Sequence, residues 1–111
     1  MTAYAIGRLR DVRMGTELRA YLAGIDDTLA PFGGRFIIHG GAKTVLEGAW
    51  PDDVIVIAFP DLISARGWYD SPGYQDILAL RTGNSSGDVI LIEGVDHSHK
   101  ATDILTGGFG D

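Results

Sequence analysis

The sequence predicts an α+β domain, a four-stranded antiparallel sheet with helices on one face and a partner on the other. Three observations carry this reading. Val54–Phe59 and Val89–Ile92 are apolar at every position, where a strand wet on one side would alternate. Leu18, Leu22, Ile25 and Leu29 recur at helical spacing between two strand-like runs. The chain encodes only about three amphipathic helices, enough for one face of a small sheet. The uncovered face then needs a second surface, most simply another copy of the same chain.

Each element has a local cause. Ala3 to Val12 reads as a first strand, with Tyr4, Ile6, Arg8 and Arg10 on one face and Ala5, Gly7 and Leu9 on the other. Gly15-Thr16 breaks it, and Thr16 is the expected N-cap of the first helix. Tyr21 and Phe32 widen that helix's apolar stripe. Pro31 and Gly33-Gly34 end it, a glycine supplying the left-handed residue. Arg35 to His39 is a second strand, and Gly40-Gly41 is expected to bulge or bend it. Pairing is expected to resume over Lys43 to Gly48, and Trp50-Pro51-Asp52-Asp53 turns the chain into the strand Val54–Phe59. Asp61 caps a short helix running towards Tyr69. Ser71-Pro72 opens another that carries Tyr74, Ile77, Leu78 and Arg81 on one face. Residues 83–87 form a loop, and Val89–Val95 is the last strand. The order is β-α-β-β-α-β with the second helix split, the ferredoxin-like arrangement. Residues 1–95 make this domain. Residues 96–111 form a C-terminal tail, or an arm lying on a partner, with Ile104, Leu105 and Phe109 as its apolar contacts.

Composition narrows the function. The chain has 111 residues, enough for one modest core, and 15 acidic against 9 basic side chains, a net charge of −6. The basic residues form no cluster, which argues against nucleic acid and against an anionic membrane surface. No apolar stretch approaches the ~20 residues of a spanning helix. The N-terminus lacks the pattern of a signal peptide, and the absence of cysteine fits a cytoplasmic protein. No phosphate-binding or dinucleotide-binding glycine motif is present, so no cofactor is implied. His97 and His99 share one side of an extended segment, but two imidazoles do not make a metal site, and none is assigned.

The residues able to carry chemistry are few. Trp68, Tyr69 and Tyr74 join apolar bodies to polar tips and suit the wall of a ligand site, as well as the packing of a helix junction. Arg81 ends the last helix, where the helix dipole favours a cation. On the Tyr74 face it can also grip a carboxylate or phosphate through its planar fork. Asn84 follows in a loop and can add a hydrogen bond, or serve as a turn residue. His39, expected to share its strand face with Arg35 and Ile37, is the one candidate to move a proton.

Taken together, Ala30-Pro31-Phe32-Gly33-Gly34-Arg35-Phe36, Leu46-Glu47-Gly48-Ala49-Trp50-Pro51, Trp68-Tyr69-Asp70-Ser71-Pro72, Tyr74, Arg81-Thr82 and Glu93-Gly94-Val95 resemble a small bacterial family, the domain of unknown function numbered thirteen-thirty. The match runs over roughly residues 3–95. The resemblance implies membership of the dimeric α/β-barrel superfamily, in which ferredoxin-like subunits join sheet to sheet as homodimers. It implies no established activity. Related branches include cofactor-independent monooxygenases, muconolactone-type isomerases and haem-degrading enzymes, with ligands between sheet and helices. The haem-degrading set of Asn, Trp and His is not reproduced: Trp68, Asn84 and His39 are the right types at other positions, and Gly7 offers no Asn. Family members are expected often to have Arg where His39 stands. Three readings follow: a cofactor-independent enzyme on a small, anionic organic molecule held by Arg81 between Trp68 and Tyr69, with His39 moving a proton; a non-catalytic dimeric binding module; and a structural dimer using its tail as an arm.

Overall fold

The structure, a computed structural model, describes residues 1–107. Its elements are β1 (Ala3–Arg10), α1 (Thr16–Leu29), β2 (Arg35–His39), β3 (Asp53–Phe59), α2 (Leu62–Asp70), α3 (Pro72–Thr82), β4 (Ser86–Glu93) and a final turn of helix α4 (Ile104–Gly107). The strands form one sheet in the order β2-β3-β1-β4, every neighbouring pair antiparallel. This is the ferredoxin-like α+β arrangement. The end of the expected tail, Phe109 included, lies outside the described residues.

Register decides which side chains meet the helices. Ala5 stands opposite Ile57 and Leu91, and Gly7 opposite Ile55 and Val89. Directly opposed residues share a face. One face is therefore built from Ala3, Ala5, Gly7, Ile55, Ile57, Phe59 and Leu91. It packs on Leu18, Tyr21, Ile25 and Leu29 of α1, Ala65 and Trp68 of α2, and Tyr74 of α3. Phe59, Leu29 and Tyr74 are the largest fully buried side chains. Each contributes about 1.5–3 kcal/mol by leaving water. The other face carries Tyr4, Ile6, Val54, Val56, Ile90 and Ile92, and it leaves Ile38, Ile90 and Ile92 exposed.

The helix boundaries follow from their caps, with one difference from expectation. Gly15 is the N-cap of α1 and makes no side-chain bond, while Thr16 is already helical. An extended glycine satisfies the geometry without a capping oxygen. A short 3-10 turn, Ala30–Phe32, follows α1 and ends at Gly33, whose φ of 69° is left-handed. The Asp61 carboxylate accepts from the Ser64 amide at 2.7 Å, and the Ser71 hydroxyl accepts from the Tyr74 amide at 3.3 Å, with Pro72 in the first turn. The sharp break between α2 and α3 is thus set by Ser71-Pro72.

Three expectations about the strands are corrected. The irregularity in β2 falls at Ile37, between the pairs Phe36–Ile57 and Ile38–Val56, and not at Gly40-Gly41. Those two glycines have positive φ (70° and 94°) and end the strand instead. Residues 43–48 do not resume pairing; residues 41–52 form a loop closed at its base by the Gly40 amide on the Val54 carbonyl at 2.9 Å. Finally, β4 begins at Ser86 and ends at Glu93, because Gly87 and Asp88 pair with Leu9 and Arg8.

Gly87 permits a close approach. A Cβ there would strike the Arg8 carbonyl oxygen and come within 2.9 Å of Leu9 Cδ2. Backbone cannot yield as a flexible side chain can. Gly87→Ala should therefore cost about 1–3 kcal/mol, the usual range for overpacking. The check is urea unfolding, with a lower midpoint at unchanged slope.

Candidate functional site

The helix-facing side of β1 presents Ala3, Ala5 and Gly7, the smallest side chains available. Over Ala3 the aromatic group fills the space. Over Ala5, Gly7 and Leu9 it does not, and a cavity of about 270 Å³ remains between sheet, α1 and α3. Its walls are largely apolar, with Leu18, Ile25, Phe36, Ile55 and Val89 among them. Val12 and Met14 also line it while exposed, which marks the mouth.

One end is aromatic. Trp68 lies against Tyr74 with ring centroids 4.1 Å apart, and against Phe59 at 5.5 Å. Its indole Nε1–H donates to Thr28 Oγ1 at 3.0 Å, and that hydroxyl donates to the Ile25 carbonyl at 2.6 Å. The ring is thereby fixed in orientation and its polar tip is used up, so Trp68 offers the cavity an apolar wall only.

The polar groups are concentrated at Tyr21, Tyr74 and Arg81. The two phenols share a hydrogen bond of 2.8 Å in the buried interior. One proton lies between them, and the second hydroxyl proton is free to donate. Arg81, in the last turn of α3, lies with its guanidinium carbon 5.9 Å from the centre of the Tyr21 ring. That is within cation–π range. No carboxylate pairs with Arg81 among the described residues. Burial is the largest single influence on Arg81 and opposes its charge; Tyr74 and Tyr21 together outweigh it, and the net shift is upward. Burial, reinforced by the Tyr74 charge and hydrogen bond, raises the Tyr21 pKa well above its ordinary value. Tyr21 is thus a neutral phenol in the fold.

The candidates divide. Trp68, Tyr74, Arg81 and His39 line the cavity. Tyr69 does not; its ring packs on Trp68 and Tyr74 from outside, and its carbonyl accepts from Gln75 Nε2 at 2.6 Å. Asn84 does not either. Its amide donates to the Leu80 carbonyl at 2.8 Å and to Glu17 Oε1 at 3.1 Å, tying the end of α3 to the start of α1. The free carbonyls of a helix end explain that use. His39 is exposed and, because Ile37 is bulged, shares a face with Phe36 and not with Arg35. The two rings stack at 4.3 Å with 14° between their planes. His39 and Asp53 form the polar part of the lining on the β2–β3 side.

Tyr21 was read from the sequence only as part of a stripe. The available signal was a tyrosine at a core position of α1, whose hydroxyl must find a partner once buried. Among the described residues no group of His, Asp and Glu could hold a metal ion, and no helix is long and apolar enough to cross a membrane.

Sheet order, the helices on one face and the cavity between them define a class, the ferredoxin-like α+β proteins. A structure of RPA0582, a protein of unknown function from Rhodopseudomonas palustris, is similar with a TM-score of 0.65 at 16% identity, covering 86% of this chain and 83% of that one. A dimeric ferredoxin-like protein of unknown function from Jannaschia sp. CCS1 is similar with a TM-score of 0.60 at 13% identity, covering 85% and 100%. A variant of SnoaB, a cofactor-independent oxygenase from Streptomyces nogalater, is similar with a TM-score of 0.60 at 14% identity, covering 89% and 98%. At these identities the likeness is one of fold. Among curated proteins no sequence matches. The sequence profile of the family described as Domain of unknown function (DUF1330) matches residues 2–95, and the chain belongs to that family.

The phenol pair yields a double expectation. Tyr74→Phe leaves the Tyr21 hydroxyl buried and without its partner, which should cost about 1–3 kcal/mol. The raised Tyr21 pKa means that above the ordinary tyrosine value of about 10 the folded chain holds more protons than the unfolded one. Its contribution to stability is therefore whole below that pH and falls as pH rises beyond it. Urea titrations across the alkaline range, with phenolate absorbance as a second readout, test both. Tyr21 should ionise only as the fold opens.

Proposed function

We propose that this protein is a homodimer whose subunits each bind one small organic monoanion with an apolar body between helices and sheet. The Arg81 guanidinium, without a carboxylate partner among the described residues and at a largely apolar cavity, carries the reading. A partly buried charge without a counter-ion is costly, and an incoming anion relieves that cost. It is the more pointed in a chain with 15 acidic side chains, none of which is placed beside Arg81 among the described residues. One cation and one free phenol proton match a singly charged carboxylate, whereas a doubly charged phosphate would find only one cation in the lining. The volume, about 270 Å³, equals roughly nine waters at ~30 Å³ each, which suits a molecule of one ring.

The dimer accounts for the open face of the sheet, where Ile90 is 52% exposed beside Ile92 and Ile38. A contiguous apolar patch of this kind marks an interaction surface. The likeness to a dimeric ferredoxin-like protein agrees with it. A catalytic version has a specific support: His39 lines the same cavity as Arg81, so an imidazole can exchange a proton with a ligand anchored there. In that version the fold shared with a cofactor-independent oxygenase suggests chemistry led by the substrate itself.

Two measurements test these claims. Calorimetric titration with a series of aromatic and branched aliphatic monocarboxylates should find a binder, and Arg81→Gln should weaken it at least tenfold, about 1.4 kcal/mol, with the melting temperature little changed. A variant that keeps full affinity would remove the anion-binding role. Ile90→Asp should convert the dimer to monomer in sedimentation runs; a persisting dimer would place the interface elsewhere.

A further inference from the structure

The loop at 41–51 is neither strand nor helix, yet it holds some of the most exposed apolar side chains of the chain. Leu46 is 88% exposed, and Val45 and Trp50 are about half exposed, at 49% and 48%. A water-facing loop has no use for such residues, and their grouping in one segment marks a contact surface.

The loop's direction is fixed at its base. Asp52 is even-numbered with Val54 and Val56 and so belongs to the open face of the sheet. Its carboxylate Oδ2 accepts from Arg10 Nη1 at 2.9 Å and is ion-paired with Arg8 Nε at 3.1 Å, both arginines being on the open face of β1. Asp88, on the open face of β4, takes the remaining reach of Arg8 at 3.2 Å. Asp52 is 5% exposed and its Oδ1 has no partner among the described residues. A buried carboxylate with two arginines is a staple, and it holds the returning limb of the loop on the open side, away from the helices. On that side Val45, Leu46 and Trp50 surround a shallow hollow with Val54, itself an open-face residue. The apolar surface of the loop is thus continuous with the apolar surface of the sheet. The radius of gyration, 15.6 Å, exceeds the ~13 Å of a compact domain this size, consistent with segments that project from the body.

We infer that residues 41–51 are an arm that packs on the second copy of this chain, with the Asp52 staple as its shoulder. The occupant is a second copy because the arm prolongs the face on which the subunits meet, and the inference rests on that dimer reading. Charge agrees. The arm has one Lys and one Glu, Lys43 and Glu47, so it brings no repulsion to the meeting of two chains that each carry −6. Asp52 acts through the arm's position and not by touching the partner.

The chain has no cysteine, so one introduced thiol reports cleanly. A nitroxide on Leu46→Cys should be immobilised in the dimer and mobile in the Ile90→Asp monomer, or on dilution of the wild-type background below its dissociation constant if that variant does not fold. Trp50→Ala with Leu46→Ser should weaken dimerisation at least tenfold while Arg81-dependent ligand binding stays intact. Asp52→Asn should loosen the label in an otherwise intact dimer. A dimer with a mobile label, or with unchanged affinity in the double variant, overturns the arm and leaves the dimer standing. A label immobilised equally in the monomer, or only when lipid vesicles are added, assigns the arm to its own chain or to another surface and also overturns it. A monomeric wild-type protein overturns arm and dimer together.

Discussion

The small side chains on the helix side of β1 are the constraint from which the site follows. β1 is a central strand, flanked by β3 and β4, so its inner residues lie beneath the helices. Large side chains at Ala5 and Gly7 would bring α1 and α3 into full contact with the sheet and leave no cavity. With Ala and Gly there, the helices rest on the longer residues of the flanking strands and on the aromatic group at the Ala3 end, and space remains over Ala5, Gly7 and Leu9. A close-packed interior tolerates such a gap only when something else sets the spacing of its walls. Here Phe59, Trp68 and Tyr74 set it. Trp68 and Tyr74 close one end of the cavity, with Phe59 packed against Trp68 behind it.

The polar chemistry of the site depends on that spacing. Tyr21 on α1 and Tyr74 on α3 meet hydroxyl to hydroxyl, so one hydrogen bond joins the two helices across the end of the cavity. Arg81, two turns along α3 from Tyr74, is brought over the Tyr21 ring by the helical repeat. The phenol ring softens the cost of a cation with no anion beside it, without quenching its charge. A buried phenol that resists ionisation and a guanidinium that keeps its charge make a donor set that does not change across the physiological pH range. Such a set suits the proposed anion by geometry and charge together.

How much of this was legible in the sequence depended on periodicity. The continuous apolar runs marked β3 and β4 as strands apolar on both faces, and the stripe through Leu18, Ile25 and Leu29 marked α1. Ser71-Pro72 gave the break between α2 and α3, because capping chemistry is local. His39 was misplaced for a different reason. Alternation puts residues 35, 37 and 39 on one face, but one bulged residue reverses the parity of all that follow. Ile37 is an ordinary strand residue and nothing in its identity announces the bulge, whereas Gly40-Gly41 announced one that is not there. Tyr21 lay in plain view on the stripe, and only its meeting with Tyr74, 53 positions away, distinguishes it from any other core aromatic. Asn84 read as a free hydrogen-bonding residue, yet the carbonyls at the end of α3 claim it.

The two faces of the sheet divide the work, and β1 is where they are joined. Ala5, Gly7 and Leu9 line the cavity on one face of this strand; even-numbered residues run from Tyr4 and Ile6 to Arg8 and Arg10 on the other. Opposite faces of one strand cannot shift independently, because every side chain is fixed to the same hydrogen-bonded ladder. A displacement of β1 against β3 would disturb the Arg8–Asp52 and Arg10–Asp52 pairs on one side and the Ala5–Ile57 and Gly7–Ile55 contacts on the other. In the proposed dimer, association on the open face therefore stiffens the wall of the cavity. The proposed subunit contact and the cavity are thus opposite sides of a single strand.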